Sequence, residues 1–149
     1  MLTQTVEYAL RAMVSLADQT GSPQTRTELV EKTRVPSAYL AKVMRGLHRA
    51  GLVRAQRGPR GGFSLARPPH EIPLIDVVNA VEPIPRIRIC PLGIRSHGDQ
   101  LCALHRRLDR ALEEFERSFA QTTLGDIIAE KSGSVPLCEE QPAEFVSLG

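Results

Sequence analysis

The sequence predicts a mainly α-helical fold that carries one small β-hairpin. Three observations support this prediction: apolar residues recur at helical spacing near the N-terminus, two strand-like runs flank a turn rich in glycine and proline, and a second helical repeat spans residues 104–119. The chain has 149 residues, of which 42% are hydrophobic and 24% are charged, as in ordinary globular domains. No apolar run approaches the ~18 residues that a membrane-spanning helix needs.

The chain begins with two predicted helices. Apolar residues repeat every three or four positions across residues 3–18, and a Gly-Ser-Pro run at residues 21–23 ends that repeat. Thr25 and Glu28 then have the spacing of a capping box, so a short second helix is expected to begin just after Thr25. We expect Pro36 to end this helix, because the residue before a proline avoids helical dihedral angles.

A third helix and a hairpin are predicted next. Helical spacing extends from Ser37 to about Ala50, and Gly51 is placed to cap the C-terminus of that helix. Two strand-like runs, residues 52–56 and 63–66, then flank the turn sequence Arg-Gly-Pro-Arg-Gly-Gly. This pattern is typical of a β-hairpin.

The second half of the chain is predicted to alternate helices with a long loop. A short helix is expected near residues 73–82, and prolines and glycines indicate a loop over residues 83–101. A helix of about 20 residues then covers residues 102–121, and Thr123 is placed to cap a last turn. Residues 131–149 show no periodicity, so we expect a flexible tail there.

The distribution of charge favours a nucleic acid as the partner. Residues 1–70 hold 11 Lys and Arg against 4 Asp and Glu, a formal charge of +7, whereas residues 71–149 carry −5. A basic region of this kind is the electrostatic footprint of a nucleic-acid-binding surface.

The N-terminus lacks the features of a secretory signal peptide, so we expect a cytoplasmic protein. The three cysteines then favour metal ligands or reactive thiols over a disulfide framework.

The order helix, short helix, turn, helix, hairpin is that of a winged helix-turn-helix domain. In such a domain the helix after the turn enters the major groove of DNA, and arginines at the hairpin tip suit a narrow minor groove. The alternative is that these side chains only solvate the surface, and Tyr39 is equally suited to helix packing. The candidate DNA contacts are Ser37, Ala38, Tyr39, Lys42 and Arg45 on the third helix and Arg57 and Arg60 at the hairpin tip.

Five stretches of the sequence form a recognisable set. In chain order they are YALR at 8–11, PSAYLAKV at 36–43, AGLV at 50–53, RGPRGGFSLARP at 57–68 and DVVNAVE at 76–82. Together they resemble the IscR/NsrR/CymR-type (BadM–IscR-like) family of bacterial winged-helix regulators. The resemblance covers about residues 1–130. It implies a homodimer whose long helix, about residues 102–121, packs across the two-fold axis. It also implies two recognition helices on a pseudo-palindromic DNA operator, usually in a repressor.

The cysteines near the predicted loop suggest a metal site. Cys90 and Cys102 lie at the two ends of the loop, and His105 follows Cys102 by one helical turn, so a thiolate and an imidazole there could reach one metal. Many cluster-binding relatives are similar to the pattern C-x5-C-x5-C, in some with a His three residues after the last Cys. This chain matches both ends and the His but has Ser96 in the middle. The candidates for the remaining ligand are His97, Cys138 and Glu7. Glu7 is included because other relatives use an N-terminal carboxylate of the partner subunit.

The leading hypothesis is a regulator whose operator binding is controlled by an iron–sulfur cluster that senses redox state, iron or nitric oxide. Two thiolates with nitrogen or oxygen ligands favour a 2Fe–2S cluster. One alternative is a cluster-free regulator of the same family that switches by oxidation of Cys90 and Cys102 or by a small effector. The remaining alternatives are a structural zinc site and a thiol enzyme; no orienting Asn or Asp is identifiable, so we expect no enzyme.

These predictions divide the chain into four parts. Residues 1–82 form a winged helix-turn-helix DNA-binding domain, and residues 83–101 form a sensor or cluster-binding loop. Residues 102–130 hold the dimerisation helix and a final turn, and residues 131–149 form the flexible tail.

Overall fold

The structure is a computed structural model that describes residues 2–18, 21–98, 100–130, 134 and 136–137. The predicted tail therefore lies almost entirely outside the described residues, and no helix in the described part is long and apolar enough to cross a membrane. The elements are, in chain order, α1 (Gln4–Asp18), α2 (Arg26–Thr33), α3 (Ser37–Arg49), β1 (Val53–Gln56), β2 (Gly62–Leu65), a 3-10 turn (Pro69–Glu71), α4 (Leu74–Val81), α5 (Ala103–Gln121) and α6 (Leu124–Ala129).

The first helix runs through the centre of the core, where it packs against α2, α3, α4 and α6. Its fully buried face is centred on Ala9, Ala12 and Met13, while Leu10 and Val14 are only partly buried. Leu10 and Val14 therefore lie toward the edge of the buried face. Met13 and two small alanines occupy its centre, and alanines carry little weight in a hydrophobic repeat.

The second helix begins as predicted but ends earlier. The amide of Glu28 donates to Thr25 Oγ1 at 3.2 Å, and the amide of Thr25 donates to Glu28 Oε2 at 2.7 Å, which lowers the pKa of the Glu28 carboxyl. The prediction that Pro36 ends this helix is wrong. Thr33 is the last helical residue, because Arg34 adopts a left-handed conformation with φ of 56° and closes the helix. Pro36 instead precedes the first residue of α3.

The third helix ends in a Schellman motif that leads directly into the hairpin. Gly51 has φ of +74°, a conformation that glycine adopts without strain. Its amide donates to the carbonyl of His48 at 3.0 Å, and the amide of Leu52 donates to the carbonyl of Leu47 at 3.0 Å. The cap predicted at Gly51 is therefore confirmed, and it places β1 immediately after α3.

The hairpin is fastened to the helical core through one buried residue, Gln24. The two strands pair in antiparallel register from Val53 with Leu65 to Gln56 with Gly62. The backbone of Gln24 forms two further hydrogen bonds with Phe63, at 2.9 and 2.7 Å. The side chain of Gln24 is 1% exposed, and its amide group exchanges hydrogen bonds with the hydroxyl and carbonyl of Ser15 on α1.

We expect Gly62→Ala to destabilise the protein by more than the ~1–2 kcal/mol that a left-handed backbone alone costs an L-residue. Gly62 has φ of +147°, and an added Cβ would lie 2.5 Å from the carbonyl oxygen of Gln24. Gly58→Ala is the matched control, since φ is +104° but no atom lies within 4 Å of its Cβ position. Equal losses of unfolding free energy in urea would show that the contact with Gln24 contributes nothing.

The last two helices differ in how they pack. The final helix returns to the core, where Leu124 is fully buried, and a capping box between Thr123 and Asp126 confirms the predicted cap. The long helix α5 packs against α4, yet none of its residues is fully buried. Leu104 and Leu108 on α5 are 63% and 47% exposed. This helix therefore keeps an uncovered apolar stripe.

Candidate nucleic-acid interface and sensor segment

The solvent-facing side of α3 carries every DNA contact predicted on this helix. The opposite side of the helix is buried in the core through Leu40, Val43, Met44 and Leu47. Tyr39 is 46% exposed, and its ring meets the ring of Tyr8 edge to face with 5.7 Å between centroids. This residue therefore packs on α1 and still presents part of its ring to solvent. The exposed residues on this side are Ser37, Ala38, Tyr39, Lys42 and Arg45.

The hairpin tip presents the other two predicted contacts. Arg57 and Arg60 are exposed in the turn between β1 and β2, which a hydrogen bond from the amide of Gly61 to the carbonyl of Gly58 closes at 2.9 Å. Within the described ranges, no carboxylate pairs with these arginines or with Lys42 and Arg45. The helix and the hairpin tip thus expose positive charges that no described carboxylate pairs with.

Two further exposed arginines, one at the start of α2 and one at the end of α3, were missed by the sequence predictions. The guanidinium of Arg26 donates from Nη2 to the carbonyl of Ser37 at 2.9 Å, so it is held at the start of α3. Arg49 is exposed near the end of the same helix. Arg49 follows Arg45 by four positions, a helical spacing that could have revealed it. The position of Arg26 depends on a tertiary contact that no local pattern indicates.

An ion-pair network fixes the start of the segment that joins α4 to α5. Arg86 donates from Nε and Nη2 to the two oxygens of Asp109, both at 2.7 Å, and from Nη1 to Glu116 at 2.9 Å. The amide of Ile87 also donates to Asp109 Oδ1 at 2.8 Å. We call this network the Arg86 clamp. The side chains of Arg86 and Asp109 are each only 15% exposed.

The Arg86 clamp strongly shifts the ionisation of its members. Hydrogen bonds from Arg86 hold the pKa of Asp109 well below its ordinary value of 3.8, and the same bonds raise the pKa of Arg86. Because folding lowers the pKa of this carboxyl, the clamp contributes stability above pH 3.8. That contribution is lost as the pH falls from 3.8 through the pKa of the folded state.

The sensor candidates fall into one pair and several separate residues. Cys102 lies at the N-cap of α5, and its Sγ is 3.4 Å from Nδ1 of His105, so the predicted pair does come together. Cys90 is 6% exposed and begins a tight turn closed by the amide of Gly93. The Nδ1 atom of His97 is buried, and no residue in the described part of the chain bonds to it.

The remaining ligand candidates do not join this pair. Glu7 lies on the exposed side of α1, where its carboxylate binds Arg11 at 2.9 Å. Cys138 lies outside the described residues. In residues 2–18, 21–98, 100–130, 134 and 136–137, no three His, Cys, Asp or Glu side chains are grouped to hold a metal ion. The donor types of these candidates fit iron. Within the described residues of one subunit, however, only Cys102 and His105 come together, whereas a cluster needs four ligands.

A winged helix-turn-helix fold that exposes positive charges on its third helix and hairpin tip defines a class of DNA-binding proteins. Residues 2–130 match the Rrf2 family, whose members are described as iron-dependent transcriptional regulators. The chain belongs to the Rrf2 family. A relative from Aquifex aeolicus (strain VF5), described as an HTH-type transcriptional regulator, is 30% identical over 131 residues, which cover 86% of this chain and 91% of the relative.

Solved structures support the same assignment. CymR of B. subtilis, the global cysteine regulator, matches with a TM-score of 0.72 and 25% identity over 85% of this chain and 95% of its own. The fold of T. potens IscR matches with a TM-score of 0.74 at 24% identity, over 91% and 92% of the two chains. These findings confirm the predicted fold and the family resemblance. The protein is therefore a DNA-binding transcriptional regulator, in a family of regulators rather than enzymes.

Proposed function

We propose that the protein is a cytoplasmic, homodimeric repressor that binds a pseudo-palindromic operator and responds to a signal at residues 83–105. The observation that carries the DNA-binding part is the exposed basic face of α3 together with the two arginines of the hairpin tip. The uncovered apolar stripe of α5 supports the dimer, because an exposed stripe of this kind marks an interaction surface. In a dimer, two copies of α3 read the two half-sites of the operator.

The proposed contacts divide between the two grooves of the DNA. Ser37, Ala38, Tyr39, Lys42 and Arg45 face the major groove, where side chains distinguish base pairs through hydrogen bonds and apolar contacts. Arg57 and Arg60 enter the adjacent minor groove, whose negative potential is strongest where the groove is narrow. Duplexes selected from a random library by the purified protein test this function, and a shared inverted repeat is the expected result.

We expect Arg60→Ala to weaken binding to the selected duplex and to lower the slope of log affinity against log salt by about one. The guanidinium is exposed at the hairpin tip, so its removal leaves the core unchanged. Fluorescence anisotropy at several salt concentrations measures both quantities. Arg107→Ala on the exposed side of α5 is the control and leaves the slope unchanged. If the Arg60→Ala protein keeps the wild-type affinity and slope, Arg60 does not contact the DNA.

As the group that senses the signal, we propose a 2Fe–2S cluster held by Cys90, Cys102 and His105. The 3.4 Å approach of Cys102 to His105 supports the proposal, as does the description of the family as iron-dependent. The fourth ligand is drawn from His97, Cys138 or Glu7 of a second copy. Such a cluster supplies a reversible one-electron redox couple, and mixed Cys and His ligation raises its reduction potential.

The packing of α4 links this segment to the DNA-reading helix. The segment begins directly after α4, and α4 packs closely against α3 at Gly46, where an added Cβ would lie 3.1 Å from the carbonyl oxygen of Ala80. A shift of α4 is therefore transmitted to α3. A coupling free energy of ~1–3 kcal/mol would change operator affinity by about 5- to 150-fold.

A thiol switch without iron is the second candidate for the sensing mechanism. It is favoured by Ser96, which stands where cluster-binding relatives have a cysteine, and by the lack of a third grouped donor in the described part of the chain. The deciding experiment is the visible spectrum with iron, zinc and sulfide counts on protein purified without oxygen. Equal amounts of iron and sulfide support the cluster. Colourless protein that loses thiols on treatment with peroxide supports the thiol switch, and bound zinc without sulfide contradicts both.

A further inference from the structure

A cleft of about 650 Å³ lies between α3 and the hairpin, and we call it the helix–hairpin cleft. Its floor is apolar and includes Met44 and Phe63, whereas its rim carries Arg26, Arg45 and Arg49. None of the described residues that line it is acidic, and no carboxylate in the described part of the chain pairs with the three arginines. The cleft therefore offers an apolar surface and positive charges to one occupant.

Residues 138–149 have the complementary composition, and we call them the acidic segment. They contain three glutamates and neither lysine nor arginine, and three apolar side chains lie close behind the last glutamate. A carboxylate forms two parallel hydrogen bonds with an arginine, and an apolar side chain gains free energy when it leaves water. The acidic segment therefore carries the groups that the cleft would bind. The glutamates are Glu139, Glu140 and Glu144, and the apolar residues are Phe145, Val146 and Leu148.

We propose that the acidic segment docks in the helix–hairpin cleft of its own chain and competes there with DNA. Its glutamates bind the arginines of the rim, and Phe145 and Leu148 pack on the apolar floor. Arg45 lies both on this rim and on the exposed side of α3, so an occupied cleft blocks the helix. The competition rests on the proposed function, in which α3 and the hairpin tip bind DNA, whereas the docking itself does not.

The connection from α6 is long enough for this docking. The last residue of α6 is Ala129, and Phe145 follows 16 positions later. An extended chain spans at most about 3.3 Å per residue, which gives about 50 Å here. A compact domain of about 130 residues has a radius of gyration near 14 Å and is therefore about 36 Å across. The acidic segment can thus reach the cleft without help from a second copy.

Tethering makes even a weak contact effective. A segment that is linked to its own binding surface has an effective concentration of about 1 mM. If the free segment binds the cleft with a Kd of about 0.1 mM, the tethered segment occupies it in about nine-tenths of the molecules. Only the remaining tenth is open to DNA, so the apparent affinity for DNA falls about tenfold.

The first test replaces Phe145 and Leu148 together with serine in the full chain. This change leaves the net charge as it was, so general repulsion between the segment and DNA is unaltered. We expect the double variant to bind both the selected duplex and a scrambled duplex about tenfold more tightly than wild type, as measured by fluorescence anisotropy. Leu137→Ser, just outside the acidic segment, is the matched control and leaves both affinities unchanged.

The second test measures docking without DNA. A labelled peptide of residues 138–149, with Cys138→Ser to prevent oxidation, is added to the Phe145→Ser, Leu148→Ser protein, whose own segment no longer competes. We expect a Kd of about 0.1 mM by anisotropy. Two changes should each weaken binding several-fold: replacement of the three glutamates of the peptide with glutamine, and Arg49→Ala in the protein. Arg107→Ala on α5 is the control and leaves peptide binding unchanged.

The outcomes separate this inference from the proposed function. Thermal unfolding first shows that each variant is folded. A double serine variant with wild-type affinity for both duplexes overturns the competition while DNA binding stands. A peptide that does not bind, or that binds the Arg49→Ala protein as tightly as its parent, overturns docking in this cleft. If the wild-type protein binds no duplex but the parent variant binds the peptide, the proposed function fails and the docking stands.

Discussion

Replacing Leu108 with glutamate is expected to separate the proposed homodimer into monomers and to weaken binding to the proposed operator by about 10²- to 10⁴-fold. Leu108 is 47% exposed on α5, next to Leu104 one turn earlier, and the proposed dimer covers both with a second copy of the helix. A carboxylate there would have to be buried without a partner, which is costly in free energy. The affinity falls because each monomer then binds its half-site alone. Light scattering and anisotropy on the selected duplex measure the two effects.

Arg110→Glu is the matched control for this prediction. It introduces the same side chain on the same helix, about half a helical turn away in angle, on the polar side of α5. This variant is expected to remain dimeric. A Leu108→Glu protein that is dimeric and keeps full operator affinity would show that the two copies meet through another surface.

Replacing Cys90 and Cys102 together with alanine is expected to abolish the response of operator binding to the signal. Both candidate sensing mechanisms depend on these two thiols, either as iron ligands or as the groups that are oxidised. The double variant should bind the selected duplex with one fixed affinity before and after treatment with oxidant or an iron chelator. If the wild-type protein contains a cluster, the variant should also be colourless and free of iron and sulfide.

Ser96→Ala serves as the control for the cysteine variant. Ser96 is exposed in the same segment and is a poor iron ligand, so its loss is expected to leave the iron content and the response unchanged. A double cysteine variant that keeps both iron and the response would refute the assignment of the sensor to this segment.

Local sequence patterns were sufficient for most of the fold. Three helix ends could be placed from local spacing alone, because each depends on contacts between residues only a few positions apart. They are the capping boxes at Thr25 and Thr123 and the cap at Gly51. The end of α2 could not be placed this way. Arg34 ends it in a left-handed conformation, which a non-glycine residue seldom adopts and which no local pattern indicated.

The candidate site was less predictable because its parts meet through tertiary contacts. The helical spacing of Lys42 and Arg45 was enough to place both on the exposed side of α3. Arg26 reaches that helix from α2, and Arg86 reaches Asp109 across 23 positions of the chain. Such contacts depend on how helices pack, which a periodic pattern does not encode. The pairing of Cys102 with His105 was predictable, because it lies within one helical turn.

The Arg86 clamp has a consequence for the conformational entropy of the segment that we propose senses the signal. The connection between the last residue of α4 and the first of α5 spans residues 82–102, but the clamp holds it at residues 86 and 87. Fixing one backbone residue costs about 1–2 kcal/mol in entropy. Residues that are already fixed incur no such cost when a ligand binds farther along the segment. In the proposed mechanism, more of the binding free energy therefore remains to shift α4, so a ligand of lower affinity than a fully free loop would require produces the same response.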